Sequence, residues 1–181
     1  MIPDWGLIDY CRNAWNVNGH TNTVIWGEKG NFKSALSLLF GFELLQDWDK
    51  VLHWTVTNLD EFKLALKEVT EGKRIAWLNL DDVSVYLPTT LYYTNPKLWE
   101  VLKKDFTAIR VFIANLMYSA PKKKDVLKLF IDDVNFEVEA KSSKRYTLQR
   151  WIRETDPEDP IKNNSRANIS RKVARDSPSC R

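Results

Sequence analysis

Apolar residues in this chain form short runs that alternate with segments in which apolar side chains recur every three or four positions. Runs rich in β-branched and aromatic residues predict strands, and the recurring pattern predicts amphipathic helices. The predicted strands cover residues 23–26, 51–57, 74–80, 111–118 and 131–140, and the predicted helices cover 34–45, 59–70, 95–105 and 122–130. This alternation favours an α/β fold of three layers, with helices on both faces of a mainly parallel sheet.

The two ends of the chain differ from this alternating region. Residues 1–22 predict a lead-in segment with a short helix near 7–15, which Asp4 would cap. Residues 146–152 would return antiparallel to 131–140 as a C-terminal β-hairpin, so that one domain spans 23–155. Residues 156–181 begin with a proline-rich and acidic linker and then contain few apolar residues, which predicts a disordered tail.

The loop after the first predicted strand has the spacing of a phosphate-binding loop. In the pattern G-x-x-x-x-G-K-[ST], Gly27, Lys33 and Ser34 occupy the first, seventh and eighth places. Gly30 is free to adopt a positive φ. Phe32 stands at the sixth place, where the pattern has glycine, and we expect it to take an ordinary backbone conformation with its ring against the sheet. The alternative is a surface turn in which glycine and lysine are merely common.

The residue types in this loop suit a phosphate ligand. Backbone N–H groups and the positive end of the following helix surround an anion, a lysine adds a charge between the outer phosphates, and a hydroxyl binds Mg²⁺. The residues that we predict to contact a nucleotide are Gly27, Glu28, Lys29, Gly30, Asn31, Phe32, Lys33, Ser34 and Ala35.

A second motif, at the end of the predicted strand 74–80, supports this interpretation. The apolar run ends in Asp81 and Asp82. A carboxylate at the end of such a strand binds Mg²⁺ together with the loop hydroxyl, and a neighbouring acid orients the attacking water. We therefore predict Ser34 and Asp81 as metal ligands and Asp82 as the general base. Taken alone, the two acids would indicate a solvated turn.

Together the two motifs resemble the Walker A and Walker B motifs of RecA-like and AAA-type P-loop ATPases. The form G-x-x-G-x-F-K-S is similar to the loops of RepA-like ATPases from phages and plasmids, and the run 108–121 resembles the fourth strand of small ATPases of archaeal viruses and plasmids. The resemblance implies a RecA-like sheet, ATP and Mg²⁺ as ligands, and catalytic roles for Lys33 and for Ser119 as a sensor of the γ-phosphate. It also makes Tyr10 and Trp15 candidates to cover an adenine, although such aromatic residues more often only pack.

P-loop ATPases often receive a stabilising positive charge from a neighbouring subunit, so we expect a homo-oligomer. Lys144 and Arg145, at the tip of the predicted hairpin, are the candidates to reach a neighbour's site. Arg110 is expected to serve its own fold. The alternative is that Lys144 and Arg145 are solvated turn residues.

Charge is concentrated at the C-terminus. Residues 161–181 contain six basic residues and one acidic residue, whereas the whole chain has a net charge of +3. We predict that Arg166, Arg171, Lys172 and Arg175 contact DNA through its phosphates, because the tail has no aromatic residue to stack on bases. The alternative is a solvated end without a partner.

Composition limits the remaining choices. Hydrophobic residues make up 44% of the chain, yet no run approaches the roughly 18 apolar residues of a membrane span, so we expect no membrane partner. Cys11 and Cys180 lie at opposite ends and predict no disulfide framework, which favours a cytoplasmic location.

The leading hypothesis is a Mg²⁺-dependent ATPase that acts on DNA in the replication, maintenance or packaging of a mobile element. One alternative is a nucleotide-binding module with little hydrolysis, which Phe32 and the choice of Asp82 rather than glutamate make credible. Another is a small-molecule kinase, which would need an arginine-bearing lid where this chain has only the lysine run 122–124.

Overall fold

The computed structural model describes residues 6–72, 74–142, 145–150 and 169–172. In these ranges the strands are β1 Thr21–Trp26, β2 Thr55–Val56, β3 Leu78–Leu80, β4 Asn115–Ala120, β5 Phe136–Ser142, β6 Arg145–Arg150 and β7 Ile169–Lys172. The helices are α1 Leu7–Asn16, α2 Lys33–Leu45, α3 Trp48–His53, α4 Leu59–Glu71, α5 Val83–Tyr86, α6 Leu91–Thr94, α7 Pro96–Phe112 and α8 Lys128–Ile131, with a 3₁₀ turn at Lys123–Asp125.

All seven strands belong to one sheet, in the order β2-β3-β4-β1-β5-β6-β7. The first five strands in this order are parallel, with Ile25 of β1 opposite Ser119 of β4 and Val138 of β5. β6 and β7 extend the sheet in antiparallel fashion. The mainly parallel sheet and its C-terminal hairpin are therefore as predicted, and β7 is an addition to them.

Two apolar clusters on opposite faces of the sheet define three layers. Successive residues of β1 point to different clusters, because side chains alternate along a strand: Val24 belongs to one and Ile25 to the other. The cluster around Val24 includes residues of α4, α7 and α8, and the cluster around Ile25 includes residues of α1 and α2. The sheet is thus covered by helices on both faces, as the alternating pattern predicts.

The connections explain this division of the helices. The chain passes from β1 to the edge strand β2 through α2 and then returns towards β1 through α4 and α7. Crossovers between parallel strands are right-handed, so connections that run in opposite directions along a sheet lie on opposite faces. The carboxyl ends of the parallel strands then share one edge, where ligands of such sheets bind.

Side-chain caps set several helix starts. Asn58 accepts hydrogen bonds from the backbone N–H groups of Asp60 and Glu61 and begins α4, as predicted, and Asn95 does the same for Leu98 of α7. Gly72 ends α4. At the N-terminus, α1 begins after Gly6, and Asp4 lies outside the described residues.

The predicted strand 51–57 is wrong over most of its length. The Asp47 carboxylate accepts hydrogen bonds from the N–H groups of Asp49 and Lys50, which starts α3, and Val51 is a buried residue of that helix. Only Thr55 and Val56 pair as a strand. A cap four residues before the segment outweighed its β propensity, because capping satisfies helix donors that otherwise lack a partner.

Two further boundaries differ from the prediction. The apolar run 111–118 contains both the last turn of α7, which ends at Phe112, and the start of β4 at Asn115. A buried helix end and a buried strand have the same hydrophobic pattern, so the run was assigned as one strand. The predicted helix 122–130 is a 3₁₀ turn followed by the short α8.

Within the tail, the structure describes four residues. Ile169–Lys172 form β7, with Arg171 opposite Leu148 and Lys172 opposite Thr147. Over the parts of the chain that the structure describes, no helix has the length and apolar character needed to cross a membrane.

Candidate functional site

The loop between β1 and α2 lies at the carboxyl edge of the sheet and requires glycine at two places. A Cβ atom on Gly27 would lie 2.3 Å from the carbonyl oxygen of Ala140 in β5, so no larger residue fits there. Gly30 has a φ of 89° and open space where a Cβ atom would lie. Glycine is therefore needed there for its backbone conformation and not because a side chain would clash. The loop therefore packs closely on β5 at its start and turns sharply at its tip.

Phe32 has a left-handed backbone, with φ 56° and ψ 29°, and its side chain is 56% exposed. The expectation of an ordinary conformation with a packed ring is wrong on both counts. The sixth place of the pattern thus keeps the backbone that glycine would adopt at no cost, although a phenylalanine occupies it. A left-handed conformation costs a residue with a Cβ atom roughly 1–2 kcal/mol.

Lys33 is the first residue of α2 and folds back over the loop. Its Nζ donates a hydrogen bond of 3.0 Å to the carbonyl oxygen of Glu28, which also accepts from the N–H of Asn31. The side-chain amide of Asn31 donates to the Ala140 carbonyl at 2.9 Å. The lysine and the loop backbone are therefore held together at the start of a 13-residue helix, where N–H groups lack helical acceptors. Glu28, Lys29 and Ala35 are exposed beside them.

The Asp81 carboxylate joins three elements at this edge. Its Oδ1 accepts hydrogen bonds from Ser34 Oγ at 2.9 Å and from Ser119 Oγ at 2.6 Å. Ser34 belongs to α2 and Ser119 to β4, and Asp81 directly follows β3. The two motifs that lie 47 residues apart in sequence are therefore in direct contact. Ser119 also accepts a hydrogen bond of 2.8 Å from the N–H of Asp82.

Asp82 follows Asp81 directly, but its side chain is hydrogen-bonded to α5. It has φ 47°, its side chain is exposed, and its Oδ1 accepts a hydrogen bond of 3.2 Å from Ser84 Oγ at the start of α5. Nearby, burial raises the pKa of Tyr86, and the negative charges of Asp81, Glu61 and Asp82 act in the same direction. The phenol is thus a neutral hydrogen-bond donor beside the acidic group.

The sequence analysis missed two buried polar residues behind the site. Asn79 of β3 donates a hydrogen bond of 3.2 Å to Ser37 Oγ, which donates in turn to the carbonyl oxygen of Ser34 at 2.9 Å. Both side chains are fully buried. They tie the first turn of α2 to the strand that ends at Asp81. Their signal was present in the sequence: each is a polar residue on the buried face of an otherwise apolar segment.

A cleft of about 500 Å³ opens on the other side of the loop. Its lining combines the ends of β1 and β5 with the turn after β4: Trp26, Gly27, Glu28, Asn31, Pro121, Lys122, Lys123, Lys124, Glu139, Ala140 and Lys141. Lys123 forms an ion pair with the buried Glu137, and Lys141 pairs with Glu139 at 3.2 Å. The cleft therefore combines charged side chains, most of them basic, with the apolar side chains of Trp26, Pro121 and Ala140.

Several other predicted site residues lie elsewhere. Trp15 is at the far end of α1, where the guanidinium of Arg74 stacks 5.5 Å from its ring centroid, and Tyr10 packs edge-on against Phe136. Neither is placed to cover an adenine at the loop. Arg110 forms an ion pair with Asp133, in agreement with a role in its own fold.

The remaining candidates are largely beyond the structure. Lys144, Arg166 and Arg175 lie outside the described residues, and Arg145 begins β6 opposite Ser142. Arg171 and Lys172 are placed by the backbone of β7 alone. The finger and nucleic-acid roles of these residues stay predictions.

The donor set at the loop fits Mg²⁺ bound together with a ligand. Among the described residues no group of three or more His, Cys, Asp or Glu side chains is arranged to hold a metal ion. Mg²⁺ is usually held by one or two protein oxygen ligands together with substrate phosphates and water. Ser34 Oγ and Asp81 Oδ1, 2.9 Å apart, supply one hydroxyl and one carboxylate of that kind.

Searches for similar proteins gave no family for the chain. No protein-family model matches it, and no curated protein sequence matches it.

Proposed function

We propose that this chain is a P-loop ATPase with a RecA-like sheet, which binds ATP and Mg²⁺ on the loop 27–34 and hydrolyses the γ-phosphate. The observation that supports it most is the contact of Asp81 with both Ser34 and Ser119. A surface turn rich in glycine and lysine would not bring a distant carboxylate and the start of a helix together. The resemblance of the two motifs to Walker A and Walker B points in the same direction.

Each residue at the edge has a role in this proposal. The N–H groups of the loop and of the first turn of α2 hold the phosphates, and Lys33 leaves the Glu28 carbonyl to neutralise their outer oxygens. Ser34 and Asp81 would hold Mg²⁺, which would supply positive charge to the bound phosphates. Ser119, 2.6 Å from Asp81, contacts the γ-phosphate.

Hydrolysis requires a water aligned with the scissile bond. In this proposal Asp82 orients the water, whose oxygen forms the new bond to the γ-phosphorus as the bond to the ADP oxygen breaks. The proton of the water passes to the phosphate product through Asp82. Positioning and charge supply most of the rate enhancement in reactions of this kind.

One observation favours the alternative of a module that binds nucleotide and hydrolyses little. The Asp82 carboxylate is exposed and bonded to Ser84, whereas efficient catalysis requires the base to be held towards the reacting water. Binding and turnover therefore have to be measured separately.

The wider role rests on the resemblance and on the basic composition of the tail. A homo-oligomer that acts on the DNA of a mobile element would use Lys144 or Arg145 at a neighbouring site and the basic residues after 161 on DNA phosphates. A DNA-dependent increase in turnover would support that role, and a phosphorylated small-molecule product would support the kinase alternative instead.

The test compares two lysines of the same loop. Lys33→Ala should weaken Mg·ATP binding at least tenfold, about 1.4 kcal/mol, and abolish ATP hydrolysis by the purified chain. Lys29→Ala keeps the backbone N–H through which residue 29 would contact the phosphates and removes only an exposed side-chain charge, so it should change affinity less than threefold. Equal affinities for the two variants and the wild type would contradict the assignment of the loop.

A further inference from the structure

Phe32 poses a question that the phosphate-binding proposal does not answer. Its backbone is in the left-handed region, with φ 56°, and 56% of its side chain is exposed. Glycine would fit this backbone conformation better than phenylalanine does. A ring that is more than half exposed also contributes little to the core. Strain at an exposed loop residue next to a binding site commonly reflects a functional constraint on that residue.

Three other aromatic residues near the sheet already pack against protein groups. Tyr10 packs against Phe136, Trp15 lies under Arg74, and Trp26 is partly buried against the core cluster around Val24. Among the described residues of the loop and the first turn of α2, Phe32 is the one aromatic side chain. It lies directly before Lys33 and Ser34, which the proposal places on the phosphates.

A nucleotide held by its phosphates has two directions in which its nucleoside can extend. On one side is the cleft that contains Lys122, Lys124 and Lys141, whose one aromatic side chain, Trp26, is partly buried against the core cluster around Val24. On the other side is the start of α2, with the exposed ring of Phe32 and the exposed Ala35. A flat aromatic base gains more from a face-on aromatic partner than from lysine side chains.

We infer that the Phe32 ring stacks on the base of the bound nucleotide, so that this residue selects nucleotides over phosphate chains without a base. The inference rests on the proposed nucleotide-binding function. Stacking depends on the π face that all bases share, so Phe32 favours any nucleoside triphosphate over inorganic tripolyphosphate, with purines ahead of pyrimidines because of their larger face.

The experiment measures the binding of ATP and of inorganic tripolyphosphate, each with Mg²⁺, by calorimetry on the full chain. Phe32→Leu keeps an apolar side chain and the same backbone strain but removes the ring. It should weaken ATP binding about tenfold and leave tripolyphosphate binding within twofold of the wild type. Phe32→Tyr retains the ring and should bind both ligands like the wild type.

A control variant tests for general effects on α2. Leu39→Ala truncates another exposed apolar side chain of the same helix, 42% exposed, and should change neither affinity. A wild type that binds ATP no more tightly than tripolyphosphate would overturn the base contact. Equal losses for the two ligands in Phe32→Leu would also overturn it, because the ring would then act through the shape of the loop.

The same measurements distinguish a failure of the Phe32 stacking role from a failure of the proposed nucleotide binding. If Lys33→Ala abolishes tripolyphosphate binding but Phe32→Leu leaves both affinities unchanged, the phosphate loop stands and the stacking role is wrong. If the wild type binds neither ligand, the proposed function is wrong and the stacking role with it.

Discussion

Strands β1 and β4 have a cluster of polar side chains at each end, and the two clusters differ in how their hydrogen bonds are used. At the amino end, the Thr21 hydroxyl donates to Asn115 Oδ1, and the Asn115 amide donates to the carbonyl oxygens of Cys11 and Ala76. The exposed fraction is at most 2% for each of Thr21, Asn115 and Cys11. Burial also raises the pKa of Cys11 to about 11, so the thiol stays neutral.

At the carboxyl end, Ser119 is buried as well, but the other two side chains of the cluster are partly open to water. Ser34 is exposed and Asp81 is half-buried, although both are bonded to each other. A carboxylate has about four acceptor sites, and two protein hydroxyls do not use them all.

The two polar clusters thus differ in their remaining capacity to form hydrogen bonds. Buried donors and acceptors that satisfy one another stabilise a unique packing and have no capacity for another molecule. Polar groups that converge at the carboxyl edge of a parallel sheet and keep spare acceptors suit a ligand instead. The predictions below separate these two roles by their effects on stability and on binding.

The largest effect is expected at the amino end. Asn115→Ala removes three hydrogen bonds that are buried or partly buried, with the Thr21 hydroxyl and with the carbonyl oxygens of Cys11 and Ala76, so the free energy of unfolding should fall by about 3 kcal/mol. Ser119→Ala, four residues along the same strand, should cost less than about 1 kcal/mol. Urea denaturation of both variants measures the difference, and a larger loss for Ser119→Ala would contradict the comparison.

At the carboxyl end, a change of charge without a change of shape should affect binding rather than stability. The Oδ1 of Asp81→Asn still accepts from Ser34 and Ser119, so the fold is kept. The Mg²⁺ concentration for half-maximal ATP binding should rise about tenfold or more, about 1.4 kcal/mol, while ATP binding in EDTA should change little. A Mg²⁺ titration of fluorescent-nucleotide binding checks this, and an unshifted midpoint would exclude Asp81 as a ligand.

Phe32→Gly should be more stable than Phe32→Ala by about 0.5–1 kcal/mol, because both variants lose the partly buried ring and only glycine adopts the left-handed backbone without strain. Thermal unfolding of the two variants without ligand measures the difference. If the two variants were equally stable, the backbone of residue 32 would not be strained.

The smallest effect concerns His20, next to the amino-end cluster. Burial lowers its pKa, helped by the charges of Arg110 and Arg74 and opposed by the hydrogen bond to the Ile113 carbonyl. The His20 imidazole therefore binds a proton less readily in the folded state than in the unfolded state. Stability should be constant above about pH 6.5 and fall as the pH drops below it. Denaturation midpoints across this range should decline less in His20→Asn; an equal decline would assign the effect to other groups.

The strand–helix order and the meeting of the two motifs at the carboxyl edge were predictable, because alternating patterns and short motifs are local in sequence. The edge could be anticipated since Gly27, Lys33, Ser34 and Asp81 each follow or precede a strongly patterned element. The backbone of Phe32 was not predictable in this way. Its left-handed conformation is imposed by the loop as a whole, against the preference of the residue.

The errors elsewhere also have tertiary causes. The cap at Asp47 changed a β-prone segment into α3, and the end of α7 extended into an apolar run that looked like a single strand. The Asn79–Ser37 bridge depends on which face of β3 meets α2, and single-residue propensities carry no such information.

A crystal structure of the chain with Mg²⁺ and a non-hydrolysable ATP analogue tests the central claim most directly. The account predicts phosphates on the backbone N–H groups of the loop 27–34, a metal ion between Ser34 Oγ and Asp81, and Lys33 Nζ moved from the Glu28 carbonyl to the phosphates. A nucleotide bound elsewhere, with the Ser34–Asp81 and Lys33–Glu28 hydrogen bonds intact, would contradict it.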